Sequence, residues 1–491
     1  MLKKNDNNTI INMRKITYVL TIFLIPIFCF SQGKIGVIVN KDIAVDINPK
    51  VQRYIADLVS IEEVSVWLNN SDFNENSSAS VLRDSLLHQY LNDNLTGVVF
   101  IGDLPITYYE IREDLGGGYY NSFPCDIYFM DLNGSWLDTA AAGGWGVTGY
   151  FDNHIGDRKA EIWMSRIIGS NTPDIGDELT VLNDYFDRLH MRMTGQDNLP
   201  KKMCFFGSDV EFPTMDSWLG DTLLGYQTGE IVIYKRSSLT MPDSPQNWIS
   251  VLQQGVEYSV MFEHSYEYGH SMSSFFSNQD YLSMSPKSNS RFYYLVATCK
   301  VARYTTPNTM GLIYAMGHKG LLVIGSTKEV GIGGGREVFH GLLGQGNSFG
   351  TSHKEWLNTI VFDTTVPDFQ QEYLLKACYG FVIIGAGNLK LHKYNPITGV
   401  NPLPIHDGDV KVFPNPFNSS TSISYNLPDP GNVVLSVYNL QGVMVLSLVN
   451  SYQPAGEQII EFNGTGLPSG MYYLRLQAAG KIKTGKMMIV K

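Results

Sequence analysis

The chain has 491 residues, 44% of them hydrophobic and 17% charged, with a formal net charge of −11. That length exceeds one ordinary core and predicts two or three units at roughly 100–200 residues each, and the apolar content excludes wholesale disorder. The acidic balance excludes nucleic acid as the main ligand, because such binding needs a basic stripe that displaces counterions and only the short C-terminal run clusters its lysines.

Arg14 and Lys15 precede an almost unbroken apolar run, from Ile16 to Phe30, which ends at Ser31 before Gln32. The run is too short to cross a bilayer comfortably, and its basic flank and small final residue are those of a cleaved secretory signal. Residues 1–31 are therefore expected to be removed, leaving a mature chain without a transmembrane span. The polar stretch before Met13 fits a translation start placed too early. Cys29 follows the bulky Phe28, which argues against a lipoprotein anchor.

From Lys34 onward, short continuous apolar runs recur at 34–40 (KIGVIVN), 97–101, 203–206, 258–262 (YSVMF), 292–297 (FYYLVA) and 320–324. Such runs fit strands covered on both faces, which means a mostly parallel sheet between helices. Residues 78–92, 174–194 and 310–318 space their apolar positions as helices do. The expected class for 32–391 is α/β. Residues 392–409, rich in Pro, Asn and Gly, read as a linker. Residues 410–491 then alternate with period two between turn residues, predicting a small antiparallel, immunoglobulin-like β-sandwich with strands at 421–426, 433–439, 458–462, 471–477 and 486–490.

Within that last segment, Val412-Phe413-Pro414-Asn415-Pro416-Phe417, Ser436-Val437-Tyr438-Asn439-Leu440-Gln441-Gly442 and Leu467-Pro468-Ser469-Gly470-Met471-Tyr472-Tyr473 stand in order before a basic end. The segment resembles the type A sorting domain of the type IX secretion system. The resemblance implies recognition by that machinery and a secreted or outer-surface location.

Without the signal, Cys125, Cys204, Cys299 and Cys378 remain, too few and too irregular for a disulfide framework and without a C-x-x-C pair for zinc. Functional groups of open α/β sheets collect beyond the carboxyl ends of strands. His264 follows the run 258–262, and Cys299 follows 292–297 after Thr298. On neighbouring parallel strands the two emerge at one edge as base and nucleophile, since an imidazole generates or stabilises the reactive thiolate. The competing reading of a lone Cys after an apolar run is a small buried hydrophobe.

Segments 95–106 (LTGVVFIGDLPI), 126–136 (DIYFMDLNGSW), 161–167 (EIWMSRI), the His264 stretch, 295–299, 320–326 (GLLVIGS) and 384–391 (IGAGNLKL) together resemble, in order and spacing, the gingipain-type cysteine peptidases, relatives of the caspases. The resemblance implies a caspase-like sheet and an endopeptidase that cleaves protein or peptide substrates through a thioester acyl-enzyme, with no required cofactor. Carried over, Cys299 is the nucleophile, His264 the general base and acid, and the backbone N–H groups of Cys299 and Ser265 the oxyanion hole. Glu161 is a candidate third group orienting the histidine, as acidic residues do in triads.

The chain departs from the family at Glu263-His264-Ser265, where Gly-His-Gly is usual. A glycine there lets the backbone approach substrate closely, so Ser265 is expected to weaken the oxyanion hole and Glu263 either to raise the pKa of His264 or to point into solvent. That departure supports an alternative function, a weak or inactive surface binding protein. Gly269-His270-Ser271 also looks like the family triplet, yet His270 is expected in a polar loop six residues beyond His264. Asp131-x-Asn133-Gly134 resembles part of a calcium loop but lacks the Glu at the required spacing, which favours a turn and leaves a structural calcium only as a possibility. Gly331-Ile332-Gly333-Gly334-Gly335 lacks the Gly-Lys-Ser/Thr ending of a phosphate loop and reads as a surface loop. Cys125, Cys204 and Cys378 are expected to be structural.

Overall fold

Ten strands lie side by side along one twelve-stranded sheet in the computed structural model, which describes residues 33–114, 119–138, 150–156, 158–197, 199–210, 224–226, 228–329, 336–361, 378–391, 410–428, 430–438, 444–478 and 481–490. They are β1 (Lys34–Val39), β2 (Ser65–Asn69), β3 (Leu95–Ile101), β4 (Trp163–Ile167), β5 (Met203–Gly207), β6 (Ile231–Lys235), β7 (Tyr258–Tyr266), β8 (Phe292–Thr298), β9 (Leu322–Ser326) and β10 (Phe381–Gly385). Their order across the sheet is β6-β5-β7-β8-β9-β10-β4-β3-β1-β2. The continuous apolar runs do become interior strands: every residue of β4, β5, β8, β9 and β10 is buried.

The sheet is mostly parallel, with one reversal that periodicity does not reveal. All neighbours from β6 to β9 run parallel, and so do all from β10 to β2. Among these ten strands only β9 against β10 is antiparallel. The carboxyl ends of the two halves therefore lie at opposite edges, and β7 and β8 share theirs.

Helices cover the sheet because their apolar residues fall on one stripe. In α1 (Ala44–Ile61) the buried positions Ala44, Ile47, Val51, Tyr54 and Leu58 step by three and four, the period of a helix that faces a core. In α2 (Ala79–Asp93) Leu82 and Leu86 are the buried contacts. In α3 (Glu178–Met193) Asp177 accepts the Thr180 N–H as N-cap, and Val181, Leu182, Tyr185, Phe186 and Leu189 turn inward. Tyr54 and Phe186 meet at 5.8 Å, and Asp187 pairs with Lys50 and Arg53 of α1.

On the other half, α4 (Pro245–Gln254) buries Trp248, and α5 (Met310–Met316) is buried along its whole length. The helical stripe expected at 310–318 stops at Met316, because Gly317 and the left-handed His318 leave the helix.

Residues 410–490 form two antiparallel sheets. One holds Val410–Phe413, Ser420–Leu427 and Gly456–Asn463; the other holds Met444–Gln453, Gly431–Tyr438, Gly470–Ala478 and Lys481–Ile489. Ile423, Tyr425, Leu435, Val437, Leu474 and Met487 share their core. The strands at Val410–Phe413 and Met444–Gln453 escape a reading by alternation alone. The expected signal peptide at 1–31 and linker at 392–409 lie outside the described residues. Among the described residues no helix is long and apolar enough to cross a membrane.

Candidate active site

The strand carrying His264 outruns its neighbour. β5 ends at Gly207, opposite Phe262, where a Cβ would lie 2.2 Å from the Phe262 carbonyl oxygen. β7 continues through Glu263, His264, Ser265 and Tyr266, so His264 lies within the strand rather than just after it. Pairing with β8 skips from Phe262 to Ser265, which meets Thr298. Over these four residues burial alternates: Glu263 and Ser265 inside, His264 and Tyr266 exposed.

Cys299 is the first residue past β8, and it is half-buried, whereas Cys125, Cys204 and Cys378 are buried. Its backbone is strained on both sides, with Ala297 at φ 55° and Lys300 at φ 54°. Each left-handed non-glycine residue costs roughly 1–3 kcal/mol and persists only where surrounding contacts enforce it. On the Lys300 side those contacts are visible: its N–H donates to the Lys328 carbonyl at 2.9 Å and the Ala302 N–H to the Ser326 carbonyl at 3.0 Å. Farther on, Arg303 donates to the Ser122 carbonyl at 2.9 Å. The Tyr304 hydroxyl donates to Asp126 at 2.8 Å, on a carboxylate also held by Arg166.

One cleft of about 130 Å³ brings His264 and Cys299 together; Ser265, Tyr266, Glu267, Lys300 and Glu329 complete its lining. Lys300 and Glu329 form an ion pair across 2.9 Å at its rim. Exposure of the imidazole and partial exposure of the thiol leave both open to a peptide entering from solvent.

Behind the cleft runs a directional series of hydrogen bonds. The Trp248 indole, which can only donate, gives its N–H to the Tyr314 hydroxyl at 2.9 Å. That hydroxyl then donates to Nε2 of His270 at 2.9 Å, leaving Nδ1–H to donate to Oγ of Ser265 at 2.6 Å. The Ser265 hydroxyl turns to the Glu263 carbonyl at 3.3 Å. Both ring nitrogens of His270 are thus committed, and burial pulls its pKa down to about 3. His270 does not sit in a polar loop: it is buried in the short strand Gly269–Ser271, paired with Ser265 across a tight turn.

Glu263 does not reach solvent. It is buried and accepts from Arg236 at 3.1 Å, and the same guanidinium donates to the buried Asp243 at 2.7 Å. Period-two burial through residue 266 is the signal that separates Glu263 from His264. Nothing local in the sequence points to Arg236, Asp243 or Tyr314.

Glu161 does not line the cleft. Its carboxylate accepts from the Leu132 N–H and from Asn133, both at 2.7 Å, and so caps a turn. In that turn Asp131 accepts the Gly134 N–H at 2.6 Å and meets Nε2 of His154 at 2.5 Å. Burial raises the pKa of Cys125 and of Cys204. The glycine run at 331–335 lies outside the described residues.

The sequence profile described as peptidase family C25 matches residues 47–392, and that of a secretion system C-terminal sorting domain matches 411–491. No curated protein matches the chain. Among solved structures, PorZ, a surface component of the type-IX secretion system of Porphyromonas gingivalis, is 15% identical at a TM-score of 0.14. That match covers 24% of this chain and 14% of PorZ, so the chain spans only a small part of its length. A Bacteroides fragilis protein assigned as a LacI transcriptional regulator is 11% identical at a TM-score of 0.16, covering 68% of this chain and 93% of the other. Neither likeness bears on the fold.

Proposed function

We propose, for a chain that belongs to peptidase family C25 and ends in a secretion-system sorting domain, that catalysis runs through a Cys299–His264 dyad and a thioester acyl-enzyme. The sorting domain makes it a secreted or outer-surface protein, and its family makes it a cysteine peptidase. The observation that carries the dyad is the shared cleft: two residues 35 positions apart, from the ends of adjacent parallel strands, face one opening. Strain at Ala297 and Lys300 supports it, since stored backbone strain clusters at reacting groups.

In this reading His264 takes the Cys299 proton as Sγ attacks the peptide carbonyl. The C–N bond then breaks, and His264 delivers the proton to the departing amine. Water attacks the thioester, giving its proton to His264, and the acid product leaves as the proton returns to Sγ. The N–H groups of Cys299 and Ser265 serve the oxyanion. The peptidase unit is taken as 32–391, joined through 392–409 to the sorting unit 410–491.

A second reading, a weak or inactive binding protein, draws on Ser265, whose backbone is held between Thr298 and His270. Incubation of the mature protein with a mixed peptide pool separates the two. Endoproteolysis lost in both Cys299→Ala and His264→Ala, and blocked by a thiol alkylator, is the outcome of the dyad. Cleavage that survives Cys299→Ala, or none in the parent, refutes it.

A further inference from the structure

Beyond His264 the sheet extends into a three-stranded hairpin whose two faces differ. Gly269–Ser271 pairs with the end of β7 and with Phe275–Ser277, both antiparallel. Residues directly opposite across such pairs share a face. Ser265, His270 and Phe276 thus share the inner face, where all three are buried and Phe276 stacks parallel to His270. Tyr266, Gly269, Ser271, Phe275 and Ser277 share the outer one.

That outer face is aromatic and uncovered: Tyr266 is 60% exposed and Phe275 53%. Gly269 stands opposite Tyr266, and a Cβ on it would lie 2.5 Å from the tip of the Phe275 ring. The missing side chain is what lets Phe275 lie back over the hairpin toward Tyr266. His264 and Tyr266 are exposed on the same strand two residues apart, which is roughly 7 Å. The inner hydrogen bonds through Ser265, His270 and Tyr314 fix the hairpin from behind, so the two rings form a rigid shelf continuous with the cleft that Tyr266 already lines.

We infer that this shelf is a specificity subsite for an apolar or aromatic side chain of the substrate, on the departing-amine side of the scissile bond. The side follows from the chemistry, and the inference rests on the dyad reading above. His264 protonates the leaving amine, so the half of the substrate that follows the cut departs past His264, and Tyr266 and Phe275 lie on His264's side of Cys299. An extended peptide advances roughly 3.4 Å per residue, which brings its second residue beyond the cut over the rings. Aromatic faces hold such a side chain by apolar burial and ring contact.

The test digests a proteome-derived peptide mixture with the full-length protein and reads residues on both sides of each cut by mass spectrometry. Parent enzyme should favour Phe, Tyr, Leu or Met at the second position after the cut by roughly tenfold over Asp or Glu. Tyr266→Ala and Phe275→Ala should flatten that position while preferences before the cut stay as they were. Phe275→Lys should turn it toward Asp and Glu. A flat second position in the parent, or a preference that survives both alanine variants, overturns the subsite and leaves the dyad standing. Absence of any Cys299-dependent cutting takes the dyad down, and the subsite with it.

Discussion

Replacing His270 with alanine tests whether that histidine is structural and His264 is not. The substitution removes the acceptor of the Tyr314 hydroxyl at 2.9 Å and the donor to Ser265 at 2.6 Å, both deep inside the protein. A buried polar group stripped of its partner costs about 1–3 kcal/mol. The space vacated between Phe276 and Tyr314 adds a cavity cost. The expected loss is about 3–5 kcal/mol, against about 0.5 kcal/mol or less for the exposed His264→Ala. Urea unfolding followed by tryptophan fluorescence reads both, because Trp248 donates to the same Tyr314 hydroxyl.

Acid sharpens the comparison. Burial lowers the His270 pKa from 6.5 to about 3, so between those values the unfolded state binds a proton that the folded state does not. Its stabilising contribution is therefore complete above pH 6.5 and is lost as pH falls toward 3, by up to roughly 5 kcal/mol. His270→Ala should flatten the stability profile across that window. If His270→Ala unfolds within about 1 kcal/mol of the parent, or His264→Ala is destabilised as much, these hydrogen bonds do not hold the hairpin and the reasoning fails.

Limited iodoacetamide treatment of the folded protein, mapped by mass, should modify half-buried Cys299 well before buried Cys125, Cys204 and Cys378; equal labelling refutes its assignment as the reactive thiol. Arg236→Ala takes the cation from two buried carboxylates, Asp243 and Glu263, and should cost about 3–5 kcal/mol in thermal or urea unfolding; a change under about 1 kcal/mol would show that the pair is not needed to hold the end of β7. Terminal sequencing of the extracellular protein should find a start near Gln32 and loss of most of 410–491; full-length protein confined to the cytoplasm contradicts export.

Local patterning was enough for much of this molecule. Short unbroken apolar runs fit strands covered on both faces, so β1, β3, β5, β7, β8 and β9 were legible within a few residues, as was the tail's period-two alternation. The positions of His264 and Cys299 behind two such runs were legible for the same reason.

Tertiary structure alone decided the rest, because burial patterns encode how a segment is covered and not which segment covers it. No periodicity tells β10 to run against β9, a reversal that sets the carboxyl ends of the two halves at opposite edges. The role of His270 depends on Tyr314, 44 residues away, and that of Glu263 on Arg236, 27 residues away. The bonds that Glu161 accepts from the Leu132 N–H and from Asn133 come from a turn 28 and 29 residues earlier, which no local pattern around Glu161 announces. The left-handed Ala297 and Lys300 carry no glycine to announce them, and at Lys300 the N–H bond to the Lys328 carbonyl holds a conformation that its own side chain disfavours.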